Sequence, residues 1–110
     1  MRLSILILFI TFLGLGSTSA QMRFCDLRGS VFEETDKSRA DFIVYEEESE
    51  AFADFLVFEE ESRLYADRGG LWFFVEARGL ADFTVYFTKN KGEAHFIVHF
   101  TESSSFAGCN

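Results

Sequence analysis

An all-β fold built from short strand-and-turn repeats is what this sequence predicts, and three observations carry the expectation. A ten-residue block returns at intervals of thirteen, each copy has a β-branched and aromatic half followed by a polar half, and the chain contains no proline. Ala40-Asp41-Phe42-Ile43-Val44-Tyr45-Glu46-Glu47-Glu48-Ser49 reappears as Ala53-Asp54-Phe55-Leu56-Val57-Phe58-Glu59-Glu60-Glu61-Ser62. Shorter echoes follow at Ala81-Asp82-Phe83-Thr84-Val85-Tyr86 and Ala94-His95-Phe96-Ile97-Val98-His99. The leading alanines Ala40, Ala53, Ala66, Ala81, Ala94 and Ala107 stand 13, 13, 15, 13 and 13 residues apart. A degenerate first copy starts at Leu27 and keeps Val31-Phe32-Glu33-Glu34. The copy at Ala66 carries two extra residues around Gly69-Gly70 and has Trp72 where Val44, Val57, Val85 and Val98 stand elsewhere. Repeats therefore start at 27, 40, 53, 66, 81 and 94, with a terminal stub at 107–110.

Within each repeat, Phe-Ile-Val-Tyr suits a pleated, buried surface. The polar stretch that follows suits a turn. In Lys91-Gly92 and Arg78-Gly79 a glycine is expected where φ turns positive. Both faces of such a strand carry apolar groups, so a sheet covered on one side only would leave one row bare. Helix is disfavoured, because the apolar residues do not recur at three-to-four spacing and the runs are short.

The first twenty residues read as targeting. Arg2 precedes an uncharged apolar run from Leu3 to Leu15, and small residues follow, with Thr18 and Ala20 suited to cleavage after Ala20. That is the layout of a secretory signal peptide. Thirteen apolar residues are too few to cross roughly 30 Å of hydrocarbon. Residues 21–110 then form a single β-repeat domain that is secreted and has no membrane span. In an oxidising compartment Cys25 and Cys109 read most simply as one disulfide. Intermolecular pairing and two free thiols are the alternatives.

Three architectures can use the repeat. A β-solenoid would stack Glu33, Glu46 and Glu59 at like-charge distance and hold the two cysteines at opposite ends, beyond the roughly 7 Å between Cα atoms that a disulfide allows. An up-and-down meander barrel brings the ends together. So does a closed ring visited in non-sequential strand order.

The Ala-Asp-Phe-x-Val-Tyr pattern, its thirteen-residue period, the insertion before Trp72-Phe73-Phe74-Val75 and the ending Phe106-Ala107-Gly108 resemble a family of small uncharacterised tandem β-repeat proteins. That resemblance covers residues 27 to 110 and implies a septafoil knot, a seven-crossing torus knot of short strands and tight turns. Cys109 stands where the family tends to have Trp. Arg39, Phe52, Tyr65, Leu80, Glu93 and Phe106 replace its usual Gln before Ala.

Chemistry is sparse. The chain is acidic, with Asp+Glu 18 against Lys+Arg 10 and a net charge of −8, which is the wrong sign for a phosphate-backbone footprint. Asp41, Asp54, Asp67 and Asp82 form a row that reads as solvated or turn-capping before it reads as a Ca²⁺ site, since no Asp-rich calcium loop accompanies it. The runs Glu46-Glu47-Glu48 and Glu59-Glu60-Glu61 read as solvated turns rather than catalytic acid–base pairs. His95 and His99 replace the Asp and Tyr of other repeats and lie too far apart on a strand to share a metal. Ser103-Ser104-Ser105 lacks a His/Asp arrangement for a triad. The rows Phe42, Phe55, Phe83, Phe96 and Tyr45, Phe58, Phe73, Tyr86 read as core before they read as a glycan-stacking face. The expectation is a secreted, monomeric, non-enzymatic protein without cofactor or metal, structural or binding in role. A module for Ca²⁺, cationic partners or glycans is the alternative.

Overall fold

A computed structural model describes residues 24–110. Residues 1–23, which hold the predicted signal peptide, lie outside the described residues. Seven strands follow in order: β1 (Gly29–Glu33), β2 (Phe42–Glu46), β3 (Phe55–Glu59), β4 (Leu71–Val75), β5 (Phe83–Phe87), β6 (Phe96–Phe100) and the two-residue β7 (Gly108–Cys109). A thirteen-residue repeat thus spends five residues on a strand and eight on a return path that contains one 3₁₀ turn, whereas the path into β4 has eleven residues and the path out of it seven.

The recurrent alanine has a backbone task at the end of that turn. The N–H of Ala40, Ala53, Ala66, Ala81, Ala94 and Ala107 donates to the carbonyl three residues earlier, at 3.1 to 3.3 Å. This closes each 3₁₀ turn before the chain extends again. Asp36, Ser62 and Asn90 cap the other end of three turns by accepting from the N–H two residues on. Gly79 and Gly92 correct an expectation. They sit inside the turns Arg78–Leu80 and Lys91–Glu93, and positive φ belongs instead to Gly29, Gly70 and Gly108. A 3₁₀ turn is right-handed, so it does not call for the conformation that only glycine adopts freely.

The sheet order is β4-β1-β5-β2-β6-β3-β7, with β4 also pairing with β3. β1 to β6 close into a barrel of parallel strands. β7 runs antiparallel along the first half of β3, with Phe55 opposite Cys109, while the second half of β3 pairs with β4. Read as a ring of seven positions, every step along the chain advances two places. The meander is therefore not adopted, because its neighbours would be sequential and antiparallel. Nor is the solenoid, because β5 and β6 separate β1, β2 and β3 and so keep Glu33, Glu46 and Glu59 on non-adjacent strands.

The barrel interior is layered. Near the strand starts, Phe55, Trp72, Phe83, Phe42 and Phe96 form a closed circuit of ring contacts with centroids 5.3 to 6.0 Å apart. Phe24 covers it, stacked on Phe96 at 4.8 Å. Each such pair adds about 0.5–1.5 kcal/mol beyond burial. Val31, Val44, Val57, Val85 and Val98 form the middle layer, all fully buried. Phe74, Phe87 and Phe100 close the far end. The second aromatic row, Tyr45, Phe58, Phe73 and Tyr86, is only partly buried and is not part of this core.

Trp72 and the degenerate first repeat explain each other. Across equivalent seams Phe42 faces Val85 and Phe55 faces Val98, whereas Gly29 faces Trp72. One seam thus exchanges a large-plus-medium pair for a very-large-plus-none pair, which keeps the core volume filled. The Trp72 indole N–H also reaches the Leu27 carbonyl at 3.1 Å.

Ion pairs tie the return paths to one another. Arg78 holds Glu34 at 2.6 Å, Lys91 holds Glu47 at 2.8 Å, and Lys37 holds Glu93 at 2.7 Å. The hydrogen bond from Arg78 keeps the Glu34 carboxyl below its ordinary pKa, that from Lys91 does the same for Glu47, and those from Lys37 and then Thr88 for Glu93. A carboxylate depressed in the folded state adds stability above its unfolded pKa and loses it as pH falls through the folded value. The urea midpoint is therefore expected to drop on acidification from about pH 5 downward. A variant with Glu34→Gln, Glu47→Gln and Glu93→Gln should show a flatter profile, and an unchanged profile would remove these pairs as the cause.

Candidate functional site at the barrel mouth

Most of the polar residues that the sequence offers as chemistry are occupied in the fold. Asp82, Asp41 and Asp54 each accept, through a side-chain oxygen, the backbone N–H of a residue on the neighbouring strand: Ser30, Thr84 and Ile97, at 2.8 to 2.9 Å. The backbone N–H of each aspartate donates back to the carbonyl of that same residue. The result is a two-bond clasp across the seam. His95 repeats it in aspartate's place: its Nδ1 accepts from Ile43 N–H at 3.0 Å and its N–H donates to the Ile43 carbonyl at 2.7 Å. Four successive seams, from β1 round to β3, are fastened in this way at the strand starts. The fourth of the row, Asp67, is exposed and lies in the stretch that holds the two-residue insertion. Asp41, Asp54 and Asp82 therefore fasten neighbouring strands across a seam. His99 is placed separately, its Nδ1 2.9 Å from the Glu47 carbonyl. In the serine run, Ser103 and Ser105 bond each other.

Of the repeat positions, Ala53 and Ala66 are buried and the other four leading alanines are exposed in part. Val44, Val57, Trp72, Val85 and Val98 all point into the core. Cys25 and Cys109 are joined, with Cα atoms 5.1 Å apart. This ties the turn Phe24–Asp26 to β7.

A concave feature lies at the opposite end, where the six parallel strands finish. β1, β2 and β3 end in Glu33, Glu46 and Glu59, while β5 and β6 end in Phe87 and Phe100 and β4 carries Phe74 at its last inward position. Because the two sets of strands alternate round the barrel, glutamate and phenylalanine alternate too. Together with Val75 these six line a cavity of about 530 Å³. The three rings pack on one another, with centroids 6.0 to 6.5 Å apart and planes tilted 36° to 44°, and form an apolar floor. All three glutamates are exposed at its rim. Among the described residues no cluster of three or more His, Cys, Asp or Glu converges on a metal-sized point.

Sequence reasoning placed Glu46 and Glu59 in solvated turns and did not assemble this mouth. The signal was present: the first three repeats end their strands in Glu and the last two in Phe. It becomes a ring only when the strand order is known.

Among the described residues, no helix is long and apolar enough to cross a membrane. At the position before four of the six repeat alanines, Phe52, Tyr65, Leu80 and Phe106 stand exposed at 61 to 68%. No curated protein and no solved structure matches the chain. The family model described as the 7(1) septoil knot domain matches residues 24–110. A two-place advance round seven positions is the winding of a seven-crossing torus knot, and by that match the chain belongs to the septoil knot family.

Proposed function

We propose that this is a secreted, non-enzymatic and monomeric protein whose role is to persist outside the cell as a stable binding or structural module. The observation that carries the reading is the employment of its polar groups. Asp41, Asp54, Asp82 and His95 serve as seam clasps, and Glu34 and Glu47 as ion-pair partners, within the fold. A general acid or base needs a free proton position within reach of substrate, and a clasped carboxylate has neither the freedom nor the access. The apolar start at Leu3–Leu15 and the bond between Cys25 and Cys109 support the extracellular assignment.

Protease and urea resistance, measured on the protein expressed with its first twenty residues and purified from the medium, tests the reading. The oxidised protein should survive protease treatment that cleaves its reduced form. Ready digestion of the oxidised form, or retention of the protein inside the cell, overturns it. The mouth gives specific support to the binding side of the proposal, since none of the ion pairs among the described residues uses its three glutamates.

A further inference from the structure

We infer that the barrel mouth is a receptor for a weakly hydrated organic cation, of the quaternary ammonium class. The inference rests on the binding-module reading and supplies its ligand. Its first element is the floor. Phe74, Phe87 and Phe100 are only partly buried and present an apolar surface inside a concave site, which favours a ligand with apolar surface of its own. Aromatic rings also attract cations through their quadrupole.

The rim supplies charge complementarity. Glu33, Glu46 and Glu59 rise from three alternate strands, and none is in an ion pair of the described structure. Two of their immediate successors behave differently, for Glu34 and Glu47 are held by Arg78 and Lys91. The described structure thus pairs Glu34 and Glu47 with cations and gives none to the three mouth carboxylates. Three like charges round one opening repel one another, and a single cation seated among them relieves all three pairs.

Geometry then selects the kind of cation. Ca²⁺ takes six to eight oxygens at about 2.3–2.6 Å, and Mg²⁺ demands a tight octahedron. The rim carboxylates do not converge closely enough to chelate either ion. A primary ammonium is a compact and strongly hydrated point charge, poorly matched to an apolar floor. A quaternary ammonium spreads its charge over methyl groups, rests them on the rings and fills a wider gap between carboxylates. That combination is the one the mouth presents.

Tetramethylammonium titrated into the full mature protein, followed by NMR on the ring signals of Phe74, Phe87 and Phe100, tests the inference. Saturable shifts are expected at these rings and not at Phe24, which lies at the other end of the barrel. The uncharged isostere 3,3-dimethylbutanol should bind at least about tenfold more weakly. The triple variant Glu33→Gln, Glu46→Gln, Glu59→Gln should lose about the same factor while keeping its melting temperature. Phe87→Leu, which keeps the charge and removes one ring, should weaken binding to a smaller extent. Equal binding of the isostere, undiminished binding by the triple variant, or no saturable shift overturns the inference. A melting-temperature shift with Ca²⁺ or retention on a glycan array, without a tetramethylammonium response, would leave the binding module standing and remove only this ligand. If none of the three responds, the binding module falls as well.

Discussion

Replacing Trp72 with Val, the residue its repeat-mates carry, is expected to cost about 3–4 kcal/mol of folding stability, near the range for truncating a buried Trp. The indole is fully buried, and its neighbours in the aromatic circuit, Phe55 and Phe83, have centroids 6.0 and 5.3 Å away. Elsewhere a Val at this position is partnered by a Phe across the seam, but here the partner is Gly29. Gly29 cannot be enlarged to fill the gap. Its φ is +106°, and a Cβ there would run into the Asp82 carboxylate that clasps Ser30. The variant therefore keeps a cavity in the barrel, together with the lost hydrogen bond to Leu27. Urea unfolding of the oxidised protein measures the change. A loss under about 1 kcal/mol would mean that the interior collapses to fill the space, and the seam complementarity would lose its energetic meaning.

Removing the disulfide has a comparable effect by another route. Cys25 and Cys109 are 84 residues apart in sequence, and joining chain positions so distant removes unfolded-state entropy worth roughly 4.5 kcal/mol in the chain-entropy model. A Cys25→Ala, Cys109→Ala variant is expected to unfold at correspondingly lower urea concentration. The parent protein in reductant should behave like the variant, and the variant should be indifferent to reductant. The native contacts of β7 persist without the bond, since the Asn110 N–H also reaches the Asp54 carbonyl and its side chain the Ala53 carbonyl. The loss should therefore appear as a shifted midpoint of a cooperative transition. Identical midpoints for the parent with and without reductant would contradict the account.

The repeat, its boundaries and the all-β class were legible because a thirteen-residue period leaves a direct trace in Ala, Phe and Val. Which strand lies beside which was not legible. Every copy presents nearly the same edge to either neighbour, so the period is equally satisfied by sequential and interleaved orders. The resemblance to knotted repeat proteins carried what the period alone did not. The same gap hid the candidate site, since Glu33, Glu46 and Glu59 become members of one ring only through interleaving with β5 and β6. Gly29 looked like decay of a first repeat because its compensation, Trp72, is 43 residues away in sequence and opposite it in space. The glycines of Arg78-Gly79 and Lys91-Gly92 misled because a turn was equated with positive φ, whereas these turns are right-handed 3₁₀ segments. His95 looked like a substitution within the repeat, and the structure supplies its reason: an unprotonated Nδ1 accepts the same kind of bond as an aspartate oxygen.

The bond between Cys25 and Cys109 has a consequence that no stability figure expresses. In an open chain a knot is a matter of conformation, since an end can be drawn back through the loops until the chain is straight. Here the sulfurs join the backbone into one closed curve that includes every strand from β1 to β7. The crossings of a closed curve belong to its topology, and no amount of heat or urea alters them while the curve stays whole. An oxidised chain that loses all its hydrogen bonds is still threaded in its native order. Only cutting the chain or reducing the disulfide lets it become an ordinary polymer.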